Sequence, residues 1–111
     1  MNQMEREALE AALRSDSPPL LLEALPPRYY DDAHLPGAIR IDEERVVEQL
    51  KALGVGPDRA IVVYCANQQC RNSHRAAQNL VSGGWTRVSV YAGGKEDWRE
   101  AGLPLDRRLA A

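Results

Sequence analysis

Two cysteines and an arginine lie close together after the most apolar segment of the chain. Cys65 directly follows the run at residues 61–64, and Cys70 and Arg71 come next after a short polar stretch. The thiolate is the reactive form of cysteine, and nearby cations or backbone amides favour it. A guanidinium adds a permanent charge and a planar set of donors that suits an anion. This pattern predicts a catalytic sulfur nucleophile at Cys65 beside an anion-binding loop.

The neighbouring segments predict where this loop lies. The β-branched run at residues 61–64 predicts a buried strand, and Asn72 and Ser73 are suitable N-caps for the alanine-containing helix that follows. Amides between a strand and a helix N-terminus, together with the helix dipole, stabilise a thiolate or a bound oxyanion. The predicted substrate-binding loop therefore consists of Ala66, Asn67, Gln68, Gln69, Cys70 and Arg71.

Strands and helices alternate along the rest of the chain, which predicts an α/β fold with a parallel sheet. Further strands are expected at residues 20–24, 38–41 and 88–91. Helices are expected over residues 3–14, from Asp42, from Ser73 and around Trp98. Asp42 is the predicted N-cap of the second of these helices, Gly54 its C-terminal cap, and its predicted buried stripe is Val46, Val47, Leu50 and Leu53.

The overall composition restricts the function classes. The 111 residues predict one domain over residues 1–111, with a frayed tail from about residue 105. A net charge of −2 gives no basic surface for nucleic acid or anionic membrane. No apolar run approaches the roughly 20 residues that span a bilayer, and the polar N-terminus does not read as a secretory signal. We therefore expect a soluble, cytoplasmic protein with no nucleic-acid or membrane partner.

Several motifs resemble those of rhodanese-like domains. The turn at residues 34–38 is similar to the family's H-I-P-G-A, and residues 62–65 resemble the strand ending in its active-site cysteine. The family's S-x-x-A-A…L…G-[FW]…V…G-G…W…G-x-P pattern is matched at Ser73, Ala76, Ala77, Leu80, Gly84, Trp85, Val88, Gly93, Gly94, Trp98, Gly102, Leu103 and Pro104. The resemblance implies a central parallel sheet of about five strands with helices on both faces. It also implies that Cys65 carries sulfane sulfur as a persulfide, without a cofactor or metal.

Two departures from the family pattern bear on the site. Leu21-Leu22-Glu23-Ala24-Leu25 stands where the family commonly has L-L-D-V-R, so that Asp and Arg are absent. The loop is also longer than the usual C-x-x-G-x-R-S, with eight steps from Cys65 to Ser73 and no glycine between them. The resulting Cys65-x5-Arg71 spacing resembles that of cysteine phosphatases and of rhodanese-related phosphatases and arsenate reductases.

Cys70 admits three interpretations. It is a bystander in the widened loop, a redox partner that resolves Cys65 as a disulfide, or a ligand in a metal site with Cys65 and His74. Zinc needs four ligands, and the one remaining histidine, His34, belongs to the turn motif, so no metal is expected.

Three functions follow from these residues. The first is a thiosulfate-type sulfurtransferase that moves sulfur from thiosulfate or a persulfide donor to a thiol, cyanide or protein acceptor. The second is a phosphatase or arsenate reductase of the same fold, and the third is a redox or sulfur-carrier module using Cys65 and Cys70.

Overall fold

The chain folds around a five-stranded sheet in which every pair of strands is parallel. The computed structural model describes residues 1–107. Along the sheet the order is β1-β5-β4-β2-β3, which puts β4 in the middle. The strands are β1 (Asn2–Gln3), β2 (Leu20–Glu23), β3 (Ile39–Arg40), β4 (Ile61–Tyr64) and β5 (Val88–Tyr91).

Helices cover both faces of the sheet, as predicted. They are α1 (Arg6–Leu13), α2 (Pro27–Asp32), α3 (Val46–Ala52), α4 (Asn72–Ser82) and α5 (Gly94–Glu100). One buried cluster joins Val63 of β4 to Leu50 of α3 and Leu80 of α4. The other joins Val62 of β4 to Leu9 of α1 and Trp98 of α5. The predicted α/β fold with a five-stranded parallel sheet is confirmed.

The central strand is buried along its whole length, and this explains its composition. Successive side chains of β4 alternate between the two apolar clusters, because a strand points adjacent residues to opposite faces. A strand covered on both faces needs an unbroken apolar run rather than an alternating one. Its register pairs Tyr64 with Glu23 on one side and with Tyr91 on the other.

The start of the chain differs from its prediction. A helix was expected over residues 3–14, but Asn2–Gln3 forms an edge strand beside β5, and α1 begins only at Arg6. Both residues of β1 are exposed, so they carry no apolar alternation that could mark a strand. Their pairing partners, Ser89 and Val90, lie far away in the sequence.

The helix expected from Asp42 starts later. α3 begins at Val46, and its N-cap Arg45 makes no side-chain capping bond. The Asp42 carboxylate instead accepts a hydrogen bond from Arg40 at 2.9 Å. Leu53, predicted to be buried, is 57% exposed because it lies at the C-cap. Gly54 follows with a positive φ of 74°, which confirms the predicted helix end.

The structure holds the chain in place beyond residue 105, where the predicted frayed tail begins. The backbone of Asp106 forms two hydrogen bonds with that of His34, at 2.9 and 2.8 Å, and Leu105 packs against an apolar cluster of the sheet. These contacts hold the chain through Asp106, in contrast to the fraying expected from about residue 105. The rest of the predicted tail, residues 108–111, lies outside the described residues.

Candidate active site

Cys65 lies immediately after β4, at the carboxyl end of the sheet's central strand. It is 1% exposed. Its Sγ donates to the carbonyl oxygen of Cys70 at 3.4 Å, and the hydroxyl of Ser73 lies 3.4 Å away on the first turn of α4. The thiol is therefore enclosed by the loop that follows it and by the helix behind that loop.

The pKa of Cys65 is raised above its ordinary value, mainly because burial disfavours the charged thiolate. The side chain of Cys70 raises the pKa of Cys65 further, while the hydroxyl and amide of Ser73 lower it less. In this conformation burial therefore outweighs the groups that lower the pKa of Cys65, and Arg71 is not one of those groups.

Asn67 folds the middle of the predicted substrate-binding loop into a turn. The Cys70 amide donates to the main-chain oxygen of Asn67 at 3.2 Å, and also to its side-chain Oδ1 at 3.2 Å. The amide of Gln69 donates to the same Oδ1 at 3.0 Å. Two of the six amides predicted to meet an anion are therefore occupied by a side chain of the loop itself. This turn also directs the Cys70 carbonyl back onto Cys65.

The first two peptides of the loop are held by the start of α5. The amide of Lys95 donates to the Cys65 carbonyl and the amide of Glu96 to the Ala66 carbonyl, each at 2.9 Å. Gly94 makes this approach feasible: its φ is +66°, and an added Cβ would lie 2.5 Å from the Cys65 oxygen. This contact explains why a glycine stands at the start of α5.

The cations near the loop are arranged differently from the prediction. Arg71 is exposed and has no side-chain hydrogen bond or ion pair with any of residues 1–107. It serves as the N-cap residue of α4 without a capping bond, so the predicted caps Asn72 and Ser73 are the first helical residues. The Asn72 side chain donates instead to the Ala24 carbonyl at 3.1 Å.

Arg75 is a cation of the site that sequence reasoning missed. Its guanidinium pairs with Glu43 at 2.7 Å and donates to Oδ1 of Asn72 at 2.8 Å. The pKa of Arg75 is raised, first by its bond to Glu43 and, more weakly, by the two cysteines. The sequence could have indicated this position of Arg75. Residues four apart share one face of a helix, and Arg75 follows Arg71 by one turn.

A buried polar network lies where the family's Asp and Arg are missing. Glu23 is fully buried, and its Oε1 accepts from the Tyr64 hydroxyl at 2.6 Å and lies 3.2 Å from Nζ of Lys95. That ammonium group also donates to the Tyr29 carbonyl at 3.0 Å. The amide of Leu35 in the H-L-P-G turn donates to the Tyr64 hydroxyl at 3.0 Å. Glu23 and Lys95 thus connect β2, β4 and α5 directly beneath the loop.

Two cavities near the loop share Leu25 in their walls, and Cys65 itself lines neither of them. One, of about 330 Å³, is lined by Ala66 and Asn67 of the loop and by Lys95. The other, of about 380 Å³, is lined by Asn72 and by Glu43. Both lie at the carboxyl edge of the sheet, where ligands of parallel α/β proteins bind.

His34 has a structural position. Its ring stacks on Tyr30 with centroids 3.9 Å apart, and its Nδ1 lies 2.8 Å from the Tyr30 carbonyl oxygen. That oxygen can only accept, so Nδ1 carries the proton.

Within residues 1–107 no group of three or more histidine, cysteine or acidic side chains is placed to hold a metal ion. In the same part of the chain no helix is long and apolar enough to cross a bilayer.

Comparison with known proteins agrees with this architecture. The sequence profile described as "Rhodanese-like domain" matches residues 5–101. A thiosulfate sulfurtransferase of Escherichia coli, YnjE, is 32% identical over 95 residues, which is 73% of this chain but only 21% of that protein. A sulfurtransferase of Allochromatium vinosum is 25% identical over 105 residues, covering 95% of this chain and 94% of its own length. The solution structure of the rhodanese-like domain of Alr3790 from Anabaena superposes with a TM-score of 0.83 at 26% identity, over 100% of this chain and 86% of that one.

Proposed function

This chain belongs to the rhodanese-like domain family, and on that premise we propose that it is a sulfurtransferase that carries sulfane sulfur on Cys65. The observation that carries the proposal is the position of the thiol. Cys65 stands at the carboxyl end of the central strand, and its neighbour Ala66 lines the cavity of about 330 Å³. Since the thiol is only 1% exposed, a donor in that cavity reaches it by a movement of the loop, with the sheet left in place.

The proposed first step uses a small anionic donor such as thiosulfate. The sulfur of Cys65 attacks the outer sulfur of the donor, the donor's S–S bond breaks, and sulfite leaves with the bonding electron pair. The proton of the thiol leaves Sγ as the new bond forms and ends on the transferred sulfur, so that the thiol and thiosulfate give a neutral persulfide and sulfite. A persulfide donor reacts in the same way and releases a thiol. No cofactor or metal enters this scheme.

The charge of the donor requires compensation from the loop. Amides of residues 66–71 that Asn67 does not occupy, together with Arg71 and Arg75, supply donors and positive charge at the mouth of the site. Arg71 has no partner among residues 1–107 and is therefore available to an incoming anion. A thiol, cyanide or a protein cysteine then attacks the outer sulfur of the persulfide and regenerates Cys65.

The test is the intact mass of the reduced protein after a single addition of thiosulfate and removal of small molecules. The Cys70→Ser protein should gain the mass of one sulfur atom, and a Cys65→Ser/Cys70→Ser protein should gain nothing. Transfer of that sulfur to cyanide, read as thiocyanate, should follow. If Cys65 gains no sulfur from thiosulfate or from a small persulfide, the proposal is wrong.

The same protein samples test the phosphatase hypothesis. Hydrolysis of an aryl phosphate that disappears in Cys65→Ser would establish phosphoryl chemistry at this cysteine. We expect no such hydrolysis. Residues 66–71 contain no acidic side chain that could serve as the general acid for the leaving alcohol.

A further inference from the structure

Cys70 is folded back over the nucleophile. The turn made by Asn67 and Cys70 reverses the chain, and it leaves the Cys70 carbonyl oxygen 3.4 Å from Sγ of Cys65. Covalent geometry keeps the Sγ of a cysteine within about 4.5 Å of its own carbonyl oxygen, so the two sulfurs lie at most roughly 8 Å apart. A rotation of the Cys70 side chain and a small loop movement would bring them into bonding distance.

The two thiols differ in how the surrounding elements hold them. β4 and α5 hold the Cys65 peptide, whereas Gln68 and Gln69, in the turn before Cys70, are exposed. Cys70 itself is half-buried, between solvent and the thiol beneath it. The peptide of the nucleophile is thus held by α5, and the second cysteine follows the exposed part of the loop.

We propose that Cys70 resolves the Cys65 persulfide within the loop, so that the protein releases sulfide and closes a Cys65–Cys70 disulfide. This inference rests on the proposed function, because it starts from the persulfide. It adds an activity, the reduction of sulfane sulfur to sulfide, to simple transfer. The substrate class is the same small anionic donor, and the additional co-reactant is an external dithiol that restores the two thiols.

The step balances within the chain. The Cys70 thiolate attacks Sγ of Cys65, the bond between Sγ and the outer sulfur breaks, and the outer sulfur leaves as hydrosulfide with the bonding electrons. Two thiols are oxidised to one disulfide, and one sulfane sulfur is reduced to sulfide. Displacement at sulfur is in line, so the leaving sulfur must lie opposite Cys70. The external dithiol then reduces the disulfide by ordinary exchange and is itself oxidised.

The experiment follows mass and sulfide together, without oxygen, in fully reduced and desalted protein given one equivalent of thiosulfate. The wild-type protein should lose the mass of two hydrogen atoms and release about one sulfide per chain, trapped as its bimane derivative. The Cys70→Ser protein should keep one added sulfur atom and release no sulfide. A Cys65→Ser protein should do neither.

A matched variant tests the position of the second thiol. Moving it by one residue, in Gln69→Cys with Cys70→Ser, should close the disulfide at least tenfold more slowly than the wild-type protein. Equal rates would overturn the geometric argument.

The other outcomes separate the two proposals. A wild-type persulfide as durable as that of Cys70→Ser, a disulfide formed without sulfide, or a sulfur atom found on Cys70 in peptide masses would each overturn the inference. Failure of Cys70→Ser to gain sulfur from either donor would instead refute the proposed function.

Discussion

Replacing Gly94 by alanine should weaken both the fold and the site, because Gly94 is where α5 touches the active loop. An alanine Cβ would lie 2.5 Å from the Cys65 carbonyl oxygen and 3.0 Å from backbone atoms of Ala66 and Asn67. These are backbone atoms, which cannot rotate away as a side chain would. The loop must therefore separate from the start of α5.

The loss in the free energy of unfolding of Gly94→Ala has two contributions. A positive φ of 66° costs a residue with a Cβ about 1–2 kcal/mol. Separation loses the hydrogen bonds from Lys95 to Cys65 and from Glu96 to Ala66, and each is worth about 1 kcal/mol net. The expected loss in the free energy of unfolding is therefore about 3–4 kcal/mol, a large part of the total for a domain of this size.

Urea unfolding followed by tryptophan fluorescence measures this loss, since Trp85 and Trp98 are each only 4% exposed. Gly54→Ala is the matched control: its φ is +74°, but nothing lies within 4 Å of an added Cβ. It should cost only the backbone strain of about 1–2 kcal/mol. Persulfide formation should slow in Gly94→Ala and not in Gly54→Ala. If the two variants lose the same stability, the close contact between α5 and the loop is not what requires glycine.

Three further predictions concern the groups around the thiol. Lys95→Met leaves the buried carboxylate of Glu23 without its cation and should lower the free energy of unfolding by about 3–5 kcal/mol. Adding Glu23→Leu should recover much of that lost stability. A loss no larger than that of a surface substitution would contradict this pairing. Because burial raises the pKa of Cys65 above its ordinary value, alkylation of Cys65 by iodoacetamide in Cys70→Ser should keep accelerating to higher pH than alkylation of the same thiol in the urea-unfolded protein, and equal pH profiles would contradict the burial argument. The buried thiol should also make stability depend on pH: its contribution is complete below the pKa of the unfolded thiol and is lost as pH rises from there through the pKa of the folded thiol. Asn67→Asp puts a carboxylate against the loop amides and should raise the KM for thiosulfate about tenfold with little change in unfolding, whereas an unchanged KM would mean that the donor does not approach this turn.

The position of Cys65 was predictable because its signals are local. The apolar run of β4, the polar loop and the alanine-rich start of α4 lie within a short stretch, and each has its own physical preference for strand, turn or helix. The alternation of such segments then implied a parallel sheet with helices on both faces. In a sheet of that kind the carboxyl end of a central strand is an expected place for reactive groups.

The features that the sequence did not reveal depend on distant partners. β1 is a strand only because Ser89 and Val90 lie beside it. Glu23 gains its ion pair from Lys95, which is distant in sequence and adjacent in space. The raised pKa of Cys65 likewise comes from burial by both layers of the fold, whereas residue types alone suggested a stabilised thiolate.

The two edges of the sheet differ from its interior in a way that bears on self-association. β1 and β3 each contain two residues, so each edge offers very little unpaired backbone to a strand from another chain. On the β3 edge the charged Arg40 is bound to the Leu25 carbonyl and to Asp42, which places a fixed cation where a second chain would have to pair. A parallel sheet with a long apolar centre is a hazard for aggregation when its borders are open. Here the borders are short and one of them is charged, which protects the apolar strands between them from edge-to-edge association.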